Sequence, residues 1–448
     1  MNKLAILGGE TSVPVNLRKV EWPLITEADE QAVFRALKSG KLTAMAAGEE
    51  EVSGLEQEWA DYIGAKHCVA VSNGTTALHL ALSALDLQPG DEVLVPALSF
   101  IASAIAPLYH LLIPVFVDID PITFNMDIED LKAKISKRSK AVIVVHLHGL
   151  PAEMDEIMQL SKQFQLKVIE DAAQAHGAQY KGKFVGTIGH IGTFSLNVSK
   201  NLPTCGEGGL VTTNDPHLYD SMLMNRQFGE RVEPGKKREY VHQTLGWNYK
   251  LSSIQAAFTR SQLQRFDHDQ QQRHDNVTSF LNRIAALPGM IVPGHQPDRT
   301  HSWHILRIRF DPAAAGLYEL SPGQFRIVLK KALLAEGVPL SEYQQVPLQG
   351  HQVFQEKKGY GQSYPWALSS QPYNYDIYDT PHTLQVIEDS LTLQKMHLNP
   401  QSAPLLQCYA EAFEKVLAQL ELLQDIGKNI PNIPPWQKFV KTEISEVY

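Results

Sequence analysis

Four short runs rich in Val, Ile and Leu, "DEVLVPALSF", "IPVFVDID", "KAVIVVHLHG" and "LKVIEDAAQ", each close on Pro, Asp or Gly and alternate with helical segments. "HCVAVSNG" is a fifth. Strands that are apolar on both faces cannot turn either face to water, so they require a parallel sheet covered by helices on both sides. "TTALHLALSALDL" is apolar on nearly every side and reads as a helix buried within the fold. An earlier helix is expected from Thr26, with early acidic residues and a glycine stop at Gly40, and another over about Val52–Ile63. In sheets of this kind ligands collect beyond the carboxyl ends of the strands, and the polar residues of this chain cluster there.

Past Gly246 the pattern changes. "SSIQAAFTRSQLQRF" opens a helical stretch that continues through Val277, Phe280, Leu281, Ile284 and Leu287 until Pro288-Gly289 ends it. "HSWHILRIRF" alternates as a half-exposed strand does, and helices follow at "SPGQFRIVLKKALLAEG" and "LLQCYAEAFEKVLAQLELL". The expected organisation is an arm over 1–25, a large α/β unit over 26–270 and a smaller α+β unit over 271–448. Residues 344–400, rich in Gln, Tyr and Pro, carry no assignable period.

A formal charge of −9 over 448 residues argues against a nucleic-acid binder, which needs a basic stripe. Three scattered cysteines, Cys68, Cys205 and Cys408, form neither a disulfide framework nor a zinc spacing, which points to no metal and a cytoplasmic location. No apolar run approaches the roughly 18–20 residues of a membrane span.

Lys200, in "FSLNVSKNLPTCGEGG", would by itself be a solvated loop charge. Three other features change its weight. Asp171 ends an apolar strand in "VIEDAAQAHG", where desolvation demands a counter-cation or strong donors; a helix cap or a core ion pair would also satisfy it. Ser72–Leu80, "SNGTTALHL", places small residues at a strand-to-helix turn, where free N–H groups attract an anion; a capped tight turn is the plainer alternative. Phe100, at a strand end in "VPALSF", could cover a planar ring or simply fill core. An amine, a carboxylate, an anion cup and an aromatic cover are together what pyridoxal phosphate requires. Its Schiff-base lysine, once displaced by a substrate amine, serves as the base.

The order "NGTTAL … GDEVLVPALSF … VIEDAAQAHGA … GTFSLNVSKNLPTCGEGG … GWNYKLSSIQAA" closely resembles the DegT/StrS family of sugar and cyclitol aminotransferases, fold-type I pyridoxal-phosphate enzymes, from about Leu4 to Leu263. The resemblance implies an α/β fold with a mostly parallel seven-stranded sheet sandwiched by helices and a smaller C-terminal α+β domain. It implies Lys200 as the lysine bonded covalently to the cofactor and Asp171 as partner of the pyridine nitrogen. Gln174 would lie near the phenolic oxygen, Gly74, Thr75, Thr76 and Ser195 at the phosphate, and Phe100 on the ring. Asn248 would reach the phosphate of the neighbouring subunit, which implies a homodimer with shared sites.

The reaction so implied moves an amino group from glutamate or glutamine to a keto-sugar or ketocyclitol. A dehydratase of the same family is the first alternative, but those replace the lysine by histidine. An aromatising aminohydroxybenzoate-type synthase keeps it. The remaining alternative is a non-catalytic pyridoxal-phosphate-binding protein. Three departures from the family pattern bear on the substrate: Lys250 where arginine is usual, Phe228 where histidine is common, and the small apolar residues of the Lys41–Glu49 loop.

Overall fold

The computed structural model describes residues 3–44, 48–232, 238–294 and 296–439. The expected strands form as β1 (His67–Val71), β2 (Glu92–Pro96), β3 (Ile113–Val117), β4 (Ser139–Val145) and β5 (Lys167–Asp171). A small hairpin, β6 (Gln179–Tyr180) and β7 (Lys183–Phe184), precedes β8 (Ile191–Ser195) and β9 (Gly209–Thr213). The main sheet has seven strands in the order β1-β9-β8-β5-β4-β2-β3. Only β9 runs against its neighbours; β8, β5, β4, β2 and β3 pair in parallel.

Period-two alternation divides each central strand between two covering layers. Val93, Val95, Ala141 and Ile143 pack with the helix Gly74–Ser83, whereas Leu94, Val142 and Val144 pack with the helix Met154–Phe164 on the opposite face. This is the double cover that the Val/Ile runs demand.

The C-terminal layer is an antiparallel sheet of β10 (Met290–Ile291), β11 (Leu306–Phe310) and β12 (Ser390–Leu393), in that order. Its core is filled by the helices Pro322–Glu336 and Ala403–Leu417 and also by Leu4 and Val13 from the start of the chain. The carboxylate of Glu336 fastens that start: it accepts from Ala5 N–H (2.8 Å), Ser12 N–H (3.0 Å) and the Lys415 ammonium (2.9 Å).

Two expectations are revised. The helix past Gly246 is two helices, Ser253–Leu263 and Phe266–Ile284, the second running through position 270. Arg265 leaves the helical region (φ −111°, ψ 4°), and its guanidinium binds the Leu24 carbonyl at 2.7 Å and Asp29 at 2.9 Å. Strand β11 is buried along its whole length rather than half exposed. Its polar face carries Arg307 and Arg309, and Arg309 pairs with Asp389 at 2.6 Å.

The first part of the unassigned segment 344–400 covers the β3 edge of the large sheet, whereas its last part forms the helix Pro381–Asp389 and β12. Leu348 N–H bonds the Ala97 carbonyl (2.8 Å), and Tyr375 hydroxyl donates to the Pro114 carbonyl (2.8 Å) while accepting from Trp366 Nε1 (2.8 Å). Phe354 and Tyr375 stack edgewise on Phe116 at 4.9 and 5.2 Å. Among the described residues no helix is long and apolar enough to cross a membrane.

Two substitutions test this packing by urea denaturation. Phe354, fully buried, should cost about 3–5 kcal/mol when changed to alanine, because the cavity opens between the segment and β3. Gly74→Ala should cost about 1–3 kcal/mol by overpacking, since its new Cβ would lie 2.6 Å from Ser195 Cβ and 3.2 Å from Ser195 Cα.

Candidate active site

Asp171 closes β5 at the carboxyl edge of the sheet. Its Oδ2 accepts from Ser103 Oγ (2.8 Å) and its Oδ1 from Ala173 N–H (3.2 Å), and no ion pair reaches it within the described residues. Burial pushes the carboxyl above the ordinary range, against the opposing pull of those two donors, Lys200 and His146. Ser103 in turn lies 3.1 Å from Ser99.

Lys200 sits in the loop joining β8 to β9, where its own N–H bonds the Asn197 carbonyl (2.8 Å). Its ammonium is half-buried and has neither a hydrogen bond nor an ion pair among the described residues. Burial, then the like charge of Lys395, brings it down to about 8, while Asp171 and Glu207 act in the opposite sense. The amine and the acid, 29 positions apart in the chain, therefore feel each other's charge at one end of the sheet.

The turn after β1 is built by Asn73. Its Oδ1 accepts from Thr76 N–H (2.8 Å), and Thr76 Oγ1 bonds the Asn73 backbone and lies 3.2 Å from Ser72 Oγ. Thr76 is thus engaged in the cap. The N–H groups of Gly74 and Thr75, at the N-terminus of the helix Gly74–Ser83, have no acceptor among the described residues, nor has the Thr75 hydroxyl. Ser195 Oγ makes one long contact, accepting from Asn197 N–H at 3.4 Å. The missing Cβ of Gly74 lets Ser195 lie against this turn.

Gln174 is buried, and its Oε1 accepts from His148 N–H (2.8 Å). Behind it, Arg307 donates to His148 Nε2 (3.0 Å) and to Ser390 Oγ (2.7 Å). Burial holds His148 well below the usual histidine range, so it stays neutral and accepts from the guanidinium. Phe100 follows β2 by four positions and is 57% exposed.

Asn248 is exposed and pairs with Gln227 across an isolated bridge. Two of the three departures from the family pattern meet beside it: the Lys250 ammonium bonds Asn248 Oδ1 (2.5 Å) and lies 4.7 Å over the Phe228 ring. In the Lys41–Glu49 loop, Lys41 bonds the Gly48 carbonyl (2.7 Å), and residues 45–47 lie outside the described residues.

Several groups escaped sequence reasoning. Ser103, in the short helix Ala102–Ile105, has no motif to mark it, and His176, two positions past Gln174, is a buried ring between Trp59 and Phe194. Burial and Lys200 lower His176 to about 3. Asn201, His304 and Lys395 come from a loop and from the C-terminal layer, with no local motif to mark them. No group of three or more His, Cys, Asp or Glu among the described residues could hold a metal ion.

The pattern of the DegT/DnrJ/EryC1/StrS aminotransferase family matches residues 23–388. The chain is 44% identical over 241 residues to a GDP-perosamine synthase of Caulobacter vibrioides, covering 54% of this chain and 64% of that protein, so it spans less than two thirds of that relative's length. It is 38% identical over 292 residues to a dTDP-3-amino-3,6-dideoxy-alpha-D-galactopyranose transaminase of Aneurinibacillus thermoaerophilus, covering 65% and 77% of the two chains. The solved structure of a 3-amino-5-hydroxybenzoic acid synthase superposes with a TM-score of 0.78 at 30% identity, covering 90% of this chain and 99% of the other. The chain belongs to the DegT/DnrJ/EryC1/StrS aminotransferase family, which is pyridoxal-phosphate-dependent.

Proposed function

We propose that the chain is a transaminase that uses pyridoxal phosphate to move an amino group from glutamate or glutamine to a keto-sugar or ketocyclitol. The observation that carries this reading is a desolvated, unpartnered amine at Lys200 coupled to a buried, cation-poor carboxyl at Asp171. The groups left without partners match the cofactor's polar features. Free N–H groups at Gly74 and Thr75, with the Ser195 hydroxyl, suit a phosphate at a helix N-terminus, and Thr76 holds their turn. Asp171 suits a ring N–H⁺, whose charge would offset its burial. Gln174, fixed through Oε1, presents its amide N–H₂ to a phenolic oxygen, and the exposed Phe100 offers a face for the ring.

The cofactor, when bound, supplies a cationic ring that accepts electrons from a breaking Cα–H bond. The chain does the rest. Lys200 would hold the cofactor through its amine and, once freed, would take the proton at the substrate carbon and return it. A value near 8 leaves about one amine in ten unprotonated at pH 7, far more than an ordinary lysine would. Asp171, backed by Ser103, holds the proton on the ring nitrogen. In a homodimer, Asn248 would reach the neighbouring phosphate, with Lys250 occupying its Oδ1.

The name of the Aneurinibacillus relative, a transaminase of an amino-dideoxy sugar, supports a sugar acceptor. An aromatising synthase is the second reading, supported by the fit to the 3-amino-5-hydroxybenzoic acid synthase. Lys200 weighs against a lysine-less dehydratase.

The loaded enzyme should absorb in the visible and bleach on addition of glutamate or glutamine. Lys200→Ala should remove both the band and turnover with the fold intact; turnover at the wild-type rate would refute the reading. Asp171→Asn should keep the cofactor yet slow the chemical step by about 10²-fold or more. Asn248→Ala should weaken cofactor retention in a dimer on sedimentation, and a monomer would exclude the shared site.

A further inference from the structure

We propose that Arg307 is a positioning residue of this site: it holds the His148 ring, and through the His148 backbone it turns the amide of Gln174 so that its N–H₂ meets the phenolic oxygen of the cofactor. This rests on the pyridoxal-phosphate reading above.

The two ends of a side-chain amide have almost the same shape, so only its partners decide which way it points. For Gln174 that partner is the His148 N–H, which donates to Oε1 at 2.8 Å. With the amide turned over, the same N–H would face an N–H₂ group inside the protein, leaving buried donors without an acceptor. The orientation of Gln174 is thus set by one main-chain group.

That group is aimed by an unusual backbone. His148 has φ 61° and ψ 0°, in the left-handed region that residues with a Cβ avoid. Such a conformation persists only where its surroundings hold it. On one side the His148 carbonyl accepts from His304 N–H (2.9 Å). On the other the ring Nε2 accepts from Arg307 Nε–H (3.0 Å). The turn is also tightly packed: at the next position a Cβ on Gly149 would run into Ser302 Oγ and the Gln174 carbonyl.

Arg307 is itself fixed in place. It lies on β11 opposite Thr392 of β12, and its other bonds go to Ser390 Oγ (2.7 Å) and Gln344 Oε1. Its guanidinium has no carboxylate partner among the described residues, since Asp389 is taken by Arg309 at 2.6 Å. A buried cation met only by neutral groups is a poor device for stability. Of those groups, His148 is the one that leads back to the site. The C-terminal sheet thereby reaches Gln174 through two side chains and one peptide group.

The test titrates pyridoxamine phosphate, and its analogue with hydrogen in place of the phenolic hydroxyl, into the cofactor-free full-length protein by calorimetry. Arg307→Met should weaken pyridoxamine phosphate by about 10-fold, the worth of one hydrogen bond, and leave the analogue unchanged. Gln174→Ala should show the same selective loss, and adding Arg307→Met to it should cost nothing more. Equal losses for both ligands would mean that Arg307 only supports the fold. That result, unchanged binding of both ligands, or losses that add in the double variant each overturn the proposal. If Arg307→Met does not fold, His148→Phe, a buried ring without the accepting nitrogen, reads the same link: a selective loss supports the proposal and any other pattern overturns it. A wild type that binds neither ligand ends the pyridoxal-phosphate reading and the proposal together. A wild type that binds them and responds as stated, yet transaminates nothing, ends the transaminase reading alone.

Discussion

The carboxyl of Asp171 is held where water cannot solvate it, at the end of β5 between two covered faces of the sheet. Ionised groups in such places need cations or donors, and the described residues supply donors but no paired cation. Ser103 and Ala173 each give one hydrogen bond, and Lys200 contributes charge from the β8–β9 loop. The same desolvation that raises the acid lowers the amine. The parallel sheet matters here because it delivers several chain segments to one edge with their polar ends together.

The architecture was legible because Val/Ile runs that are apolar on both faces admit few packings. β1 to β5 and the buried helix after β1 appear where their composition puts them. β8 was harder to read: "IGTFS" is short and was visible only as an apolar run before Lys200. β11 shows the limit of alternation. Arg307 and Arg309 signalled a wet face, yet Asp389, Ser390 and His148, all distant in sequence, solvate them internally. Of the site, Lys200, Asp171 and the Asn73–Thr76 turn carry local signals. Ser103 and His304 do not, because their partners, Asp171 and Asn201, come from segments distant in sequence.

The segment 344–400 illustrates why weak periodicity need not mean weak structure. It is laid on β3 by single anchors, a tryptophan, two tyrosines and a phenylalanine, joined by short helical turns. Tyr373 hydroxyl bonds the buried Glu92 (2.8 Å), which Arg138 also holds at 2.7 Å. Such a cover closes the exposed edge of a sheet, where unpaired backbone groups would otherwise invite association. It needs no repeating pattern, since each contact is made by a different side chain.

The stitching of residues 4–13 into the core formed by Pro322–Glu336 and Ala403–Leu417 has a temporal side. Ribosomal synthesis makes Leu4 and Val13 several hundred residues before their neighbours exist. Until then these side chains remain in solvent, and the C-terminal layer cannot seal without reaching back for them. Loop closure over such a span is entropically costly and slows assembly. Closure of that layer is therefore a late event in the life of each new molecule.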